Sequence, residues 1–159
     1  MRFFPIMKTA LFQYIARNKV RNVITQIDPV CIYTRQRIPK FDCEHVVPCS
    51  FIKDKKIEKD LHNIFKCTPS INRKRQNKPF VEDMYYIHHD DITKAIIARV
   101  CMHYLYKYKP DRKSFFDKVI QKELMEEWYE IFKIEDCNLL RRDYEVYKLQ
   151  GDHNDFFYS

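Results

Sequence analysis

Residues 41–80, FDCEHVVPCSFIKDKKIEKDLHNIFKCTPSINRKRQNKPF, gather Glu44, His45, Glu58, Asp60, His62, Asn72 and Asn77 into one stretch rich in Lys and Arg. Carboxylates, imidazoles and carboxamides are the donors used by general bases and divalent metals, and the surrounding cations suit a phosphate-bearing substrate. The local pattern orders them. Val30-Cys31-Ile32-Tyr33 is β-branched and aromatic, and the residues up to Ile38-Pro39 read as a turn, so a short hairpin leads into Glu44-His45-Val46-Val47. His45 then falls on, or at the end of, a strand. Pro48-Cys49-Ser50 breaks that strand, and 53–59 is a charged loop or short helix. Leu61-His62-Asn63-Ile64-Phe65 alternates apolar and polar, which predicts a half-buried second strand. Ser70, after Pro69, predicts the cap of a helix over 71–77 that Pro79 ends.

Outward from this stretch the chain reads as mostly helical. Leu11, Ile15, Val20 and Ile24 predict a helix from about Lys8 to Thr25, closed by Asp28-Pro29. Ile92, Ile96, Val100 and Tyr104 form a stripe behind Asp90-Asp91, acidic residues where a helix start favours them. Phe116, Ile120, Leu124, Trp128 and Ile131 form a second stripe after Ser114, which with Asp117 resembles a capping box. A third helix runs from about Asn138 to Leu149 and stops at Gly151. The expected fold class is α+β and mostly helical, with a short hairpin and a strand–loop–strand–helix core flanked by an N-terminal helix and three C-terminal helices. No repeat, low-complexity tract or linker marks a boundary. One domain over 1–159 is expected, with its core at 30–80 and a helical part at 88–150.

Hydrophobic residues make up 45% of the chain, which excludes a disordered polypeptide. The formal net charge of +7 and a pI near 9.0 favour a polyanionic partner, because Lys and Arg neutralise phosphate. The start, MRFFPIMKTALFQYIARNK, has too short an apolar run for a secretory signal or a membrane span. An intracellular protein without a membrane partner is therefore expected, and a monomer. Six cysteines without a CxxC pair fit a zinc ribbon poorly, and free thiols are the expectation in a reducing compartment.

The central residues carry a specific resemblance. Glu44-His45-Val46-Val47-Pro48, Ser50-Phe51, Glu58-Lys59-Asp60-Leu61-His62-Asn63 and Asn72-Arg73-Lys74-Arg75-Gln76-Asn77 with Phe80 are similar to the active-site series of the endonuclease I family, ββα-metal or His-Me finger nucleases. Asp91-Ile92-Thr93-Lys94-Ala95 looks like that family's helix opening after the site, and Gln150-Gly151-Asp152-His153-Asn154-Asp155-Phe156 looks like its terminal QGNRNPF signature. The resemblance spans nearly the full chain. It implies a non-specific endonuclease for DNA, and often RNA, that uses one divalent cation, usually Mg²⁺ with Mn²⁺ as a substitute, and leaves 5′-phosphate and 3′-hydroxyl ends. His45 matches the general base, Glu44 and Asn72 the metal ligands, and Glu58 an acidic residue acting on the metal through water.

Residue chemistry agrees with those roles. A histidine near its ordinary pKa is largely neutral at physiological pH and can take a proton from water, while Mg²⁺ keeps several waters and needs few protein oxygens. Asp60, His62 and Asn77 are expected to support the site by hydrogen bonds rather than perform chemistry. Lys53, Lys55, Lys56, Arg73, Lys74 and Arg75 are the expected phosphate contacts. The family's usual arginine in the insert after the histidine is missing, so the cation at the cleaved phosphate is unassigned. His153 and Asp155 depart from the terminal signature and put substrate contact there in doubt. An unexported nuclease endangers its host genome and needs an inhibitor protein, a restricted compartment or a foreign target; a viral or mobile-element origin fits that constraint and the AT-rich compositional bias. Two other readings compete: a catalytically inactive basic nucleic-acid-binding protein of the same fold, and a structural protein whose Cys43, His45, Cys49 and Cys67 bind zinc.

Overall fold

A two-stranded sheet is marginal in water, so it must be clasped by other elements. In the computed structural model, which describes residues 13–84, 91–131 and 133–159, the fold is mixed helix and sheet built around such a pair. Strand β1 (Asp42–His45) pairs antiparallel with β2 (Ile64–Cys67), in the register Asp42↔Cys67, Cys43↔Lys66, Glu44↔Phe65 and His45↔Ile64. Between them lie a short helix α2 (Cys49–Ile52) and two 3₁₀ turns at Ile57–Lys59 and Leu61–Asn63. Helix α3 (Pro69–Arg75) follows β2 and packs on β1, and α1 (Arg17–Ile27) packs on β2.

The sequence-based elements hold in order but shift in detail. Val30–Tyr33 is a turn rather than a strand: Ile32 N–H donates to Lys66 O at 2.9 Å, and Thr93 Oγ1 caps Ile32 O at 2.7 Å, so its buried apolar side chains enter the core from a turn. The expected strand at 61–65 starts only at Ile64. Asp60 instead accepts His62 N–H at 3.0 Å and winds 61–63 into a 3₁₀ turn whose residues are all buried. Helix α3 begins at Pro69, so Ser70 lies inside it and is not the cap. The first helix starts at Arg17, because Gln13 N–H bonds Gln150 O and Tyr14 Oη meets Tyr108 Oη at 3.2 Å, which draws 13–16 out of helical geometry; residues 8–12 of that expectation, like Asp90, lie outside the described residues.

Helix α4 (Ile92–Tyr108) is buried on most sides and forms the spine of the core, packed against α6 (Lys122–Ile131). Four helices rather than three follow α3 among the described residues. The second apolar stripe divides into α5 (Arg112–Lys118) and α6 because Phe80 N–H bonds Val119 O at 2.8 Å, and Asp111, not Ser114, caps α5. Helix α7 (Cys137–Gln150) ends at Gly151, whose φ of 89° is the left-handed conformation that glycine adopts without steric cost. No helix among the described residues is long and apolar enough to cross a membrane.

Candidate functional site

β1 alternates its side chains, so Asp42 and Glu44 share one face and His45 lies on the other. Helix α3 lays Asn72 and Arg75, one turn apart, across the acidic face. Asn72 Nδ2 donates to Asp42 Oδ2 at 3.3 Å, and Arg75 Nη1 donates to Glu44 Oε1 at 3.1 Å. The other Glu44 oxygen accepts Tyr33 Oη–H at 2.9 Å. Burial pushes the Glu44 carboxyl up from its usual range, and Arg75 and Tyr33 act against that rise.

His45 is held from a different direction. Its Nε2 lies 2.8 Å from the main-chain oxygen of Glu58. A carbonyl only accepts, so Nε2 carries the proton and Nδ1 keeps the lone pair. Burial lowers the His45 pKa from its ordinary 6.5, with Glu58 partly offsetting this, and the ring is neutral at physiological pH. The 3₁₀ turn at 57–59 thus serves His45 through its backbone, while the Glu58 side chain pairs with Lys55 at 3.4 Å.

Of the expected supporting residues, Asp60 hydrogen-bonds the turn before β2. Its Oδ2 accepts from Lys107 Nζ at 2.7 Å and Tyr108 Oη at 2.6 Å, and its Oδ1 from Gln150 Nε2 at 2.7 Å. The Asp60 carboxyl is brought down to about 2: burial opposes the charge, and Lys107 and His62 outweigh it. His62 is buried and faces Asp152, well inside the protein. Asn77 does not brace loop and helix as expected. Its side chain is exposed at a cleft of about 460 Å³ that Lys53 also lines, and among the described residues no hydrogen bond of it is seen.

Lys53, Lys55, Lys56, Arg73 and Lys74 are exposed, as phosphate contacts must be. Arg75 is the exception and corrects that expectation. It is wholly buried, and its guanidinium spans Glu44, His45 O at 2.7 Å, Val46 O at 2.8 Å and Lys78 O at 3.2 Å. Cys43, His45, Cys49 and Cys67 do not converge as a zinc set; among the described residues the single His, Cys, Asp or Glu trio with clustered ligand atoms is His62, His103 and Asp152. All six thiols are unbridged.

Several participants escaped sequence reasoning. Tyr33 donates to Glu44 and Asp42 accepts from Asn72, and Asp-x-Glu spacing on a strand was the available signal for Asp42. Asn63 clamps Val47 at both N–H and C=O, at 2.7 and 2.9 Å, and so closes the end of the sheet beyond His45. Residues 150–156 make contacts within the protein: Gln150 Oε1 accepts Leu61 N–H, Asn154 is buried between Asp143 and Arg99, and His153 donates from Nδ1 to Asp143 at 2.6 Å.

Glu44 and Asn72 are the residues at β1 and α3 that could offer oxygens to a hard divalent cation. One carboxylate with a single hydrogen bond on each oxygen retains lone pairs, and the Asn72 amide, with its nitrogen turned to Asp42, directs its oxygen elsewhere. No protein-family model matches the chain, and no curated protein matches it.

Proposed function

We propose that this chain is a divalent-metal-dependent, sequence-tolerant endonuclease with a ββα-metal core, which hydrolyses phosphodiester bonds of DNA and also of RNA. The observation that carries the reading is the His45 clamp. A histidine ending a strand, with Nε2–H fixed on the Glu58 carbonyl and a neutral Nδ1, is poised to take a proton from an attacking water. That water gives a proton to His45 and adds to phosphorus, the bond to the 3′ oxygen breaks, and the departing oxygen takes a proton from solvent, so 5′-phosphate and 3′-hydroxyl ends result. Mg²⁺, or Mn²⁺ in its place, would be held by Glu44 and Asn72, with Glu58 acting through water, and when bound it stabilises charge on the phosphate and the leaving oxygen. Exposed Lys53, Lys55, Lys56, Arg73 and Lys74 would bind the backbone, which carries no sequence information.

The test is digestion of supercoiled plasmid, linear DNA and RNA with Mg²⁺, with and without EDTA. Cutting that EDTA abolishes is expected; cutting that survives chelation would remove the metal from the mechanism. One observation favours a second reading, an inactive nucleic-acid-binding protein: the Arg75 guanidinium already neutralises Glu44. Salt-sensitive binding without any cutting would support it.

The pH profile gives an independent check. Activity needs neutral His45, so kcat/KM should rise with pH through the His45 pKa and then level off. Because burial lowers that pKa, the midpoint of the acid limb is expected below 6.5. A scan across about pH 5 to 8 would show it; a midpoint above 6.5 would count against His45 as the base.

A further inference from the structure

Away from β1 and α3, two imidazoles and a carboxylate meet inside the protein. His62 comes from the 3₁₀ turn before β2, His103 from α4, and Asp152 from the tail after α7. One ligand atom from each lies within 4.8 Å of the others. His62 Nε2 is 3.3 Å from Asp152 Oδ1, and His103 Nε2 is 3.6 Å from Asp152 Oδ2. Tetrahedral zinc with bonds of about 2.0–2.1 Å has ligand–ligand edges of about 3.3–3.4 Å, so each imidazole nitrogen lies close to that separation from one or the other oxygen of the Asp152 carboxylate.

Two buried nitrogens lack a partner, and the one on His103 faces the group. His103 is 7% exposed and its Nε2 has no hydrogen-bond partner; His62 is 1% exposed and its Nδ1 has none either. Unsatisfied buried polar atoms are costly and call for an explanation. We propose that His62, His103 and Asp152 form a structural transition-metal site of the zinc class, separate from the Glu44 and Asn72 pair and independent of any nuclease activity.

The surroundings fit. Without metal, His62 Nε2–H donates to Asp152 O at 2.8 Å. Binding at Nε2 moves the ring proton to Nδ1, which faces Asp143 Oδ1 at 3.8 Å, giving the carboxylate–imidazole–metal relay that orients metal-bound histidines. Lys107 remains held by Asp60 at 2.7 Å when Asp152 turns to the metal. Two imidazoles favour zinc-class ions over Mg²⁺, and the Asp152 side chain, 21% exposed, gives a route in from solvent. The ion would tie the tail to α4 and to the turn that leads into β2.

The experiment is to strip the full-length protein of metal, titrate it with Co²⁺ while reading visible absorption, compete with Zn²⁺, and record X-ray absorption at the zinc edge. A single ion per chain with at least two imidazoles in its shell is expected. His103→Gln and Asp152→Asn should each weaken binding by about 100-fold or more, and Asp143→Asn by about 10–100-fold. Glu123→Gln, at an exposed position of α6, should bind as wild type. Absence of binding, sulfur in the shell, or unchanged affinity in folded His103→Gln would overturn the assignment. The wild-type edge spectrum decides the matter even if a variant does not fold.

Discussion

His45→Ala is expected to lose at least ~100-fold in Mg²⁺-dependent plasmid cleavage while binding DNA with wild-type affinity, the signature of a missing general base. His45 is not among the cations that would hold phosphate, so binding should survive. The substitution also leaves the Glu58 carbonyl without its donor, at a partly exposed position where water can replace it, so the melting temperature should move little. Glu58→Ala sharpens the test. It keeps the main-chain oxygen that orients the ring, so it should cost less activity than His45→Ala. Equal losses would mean the Glu58 side chain, not the clamp, dominates. If neither the wild type nor the variants cut while all bind DNA, the inactive binding reading replaces the nuclease one.

What could be read in advance follows from local chemistry. Pro48 and Pro69 punctuate the chain, so the order strand, loop, strand, helix was visible, and Gly151 marked the end of α7. Val30–Tyr33 misled because β-branched and aromatic residues suit any buried position; its turn is set by Ile32 bonding Lys66, a long-range contact that no local pattern shows. The single helix expected over Phe116–Ile131 failed for the same reason, since the pairing of Ile120 with Phe80 overrides helical propensity. Within the site, Glu44, His45 and Asn72 were singled out by the resemblance to the endonuclease I family; what the fold adds is that α3 lies on the Asp42 and Glu44 face of β1, while His45 is on the other. In the run Arg73-Lys74-Arg75 all three looked alike. Only the register of α3 on β1 turns Arg75 inward, and Arg142, which joins Asp28 at 2.5 Å with the Leu61 and Ile64 carbonyls, was hidden in the same way.

Arg75→Met is expected to destabilise the fold by ~3–5 kcal/mol at neutral pH, because it strands a buried carboxylate. Glu44 would keep only Tyr33, and the carbonyls of His45, Val46 and Lys78 would lose a shared donor. Arg75→Lys should recover little, since an ammonium cannot span one carboxylate and three carbonyls in the plane of the guanidinium. The deficit should depend on pH with a definite sign. Arg75 opposes the upward push of burial on the Glu44 carboxyl, so its removal raises that folded-state pKa further above the unfolded value. A raised acid pKa penalises folding once pH exceeds the unfolded value, and the penalty disappears below it. The gap between Arg75→Met and wild type should therefore narrow as pH falls toward the ordinary 4.5 of a glutamic acid and below. Glu44→Gln with Arg75→Met should be more stable than the sum of the two single losses predicts, because the stranded charge is gone. Urea unfolding of the four proteins at neutral and acid pH measures this directly. A loss under ~1 kcal/mol would place the pair among surface ion pairs and remove the clasp that sets α3, and with it Asn72, against the acidic face of β1.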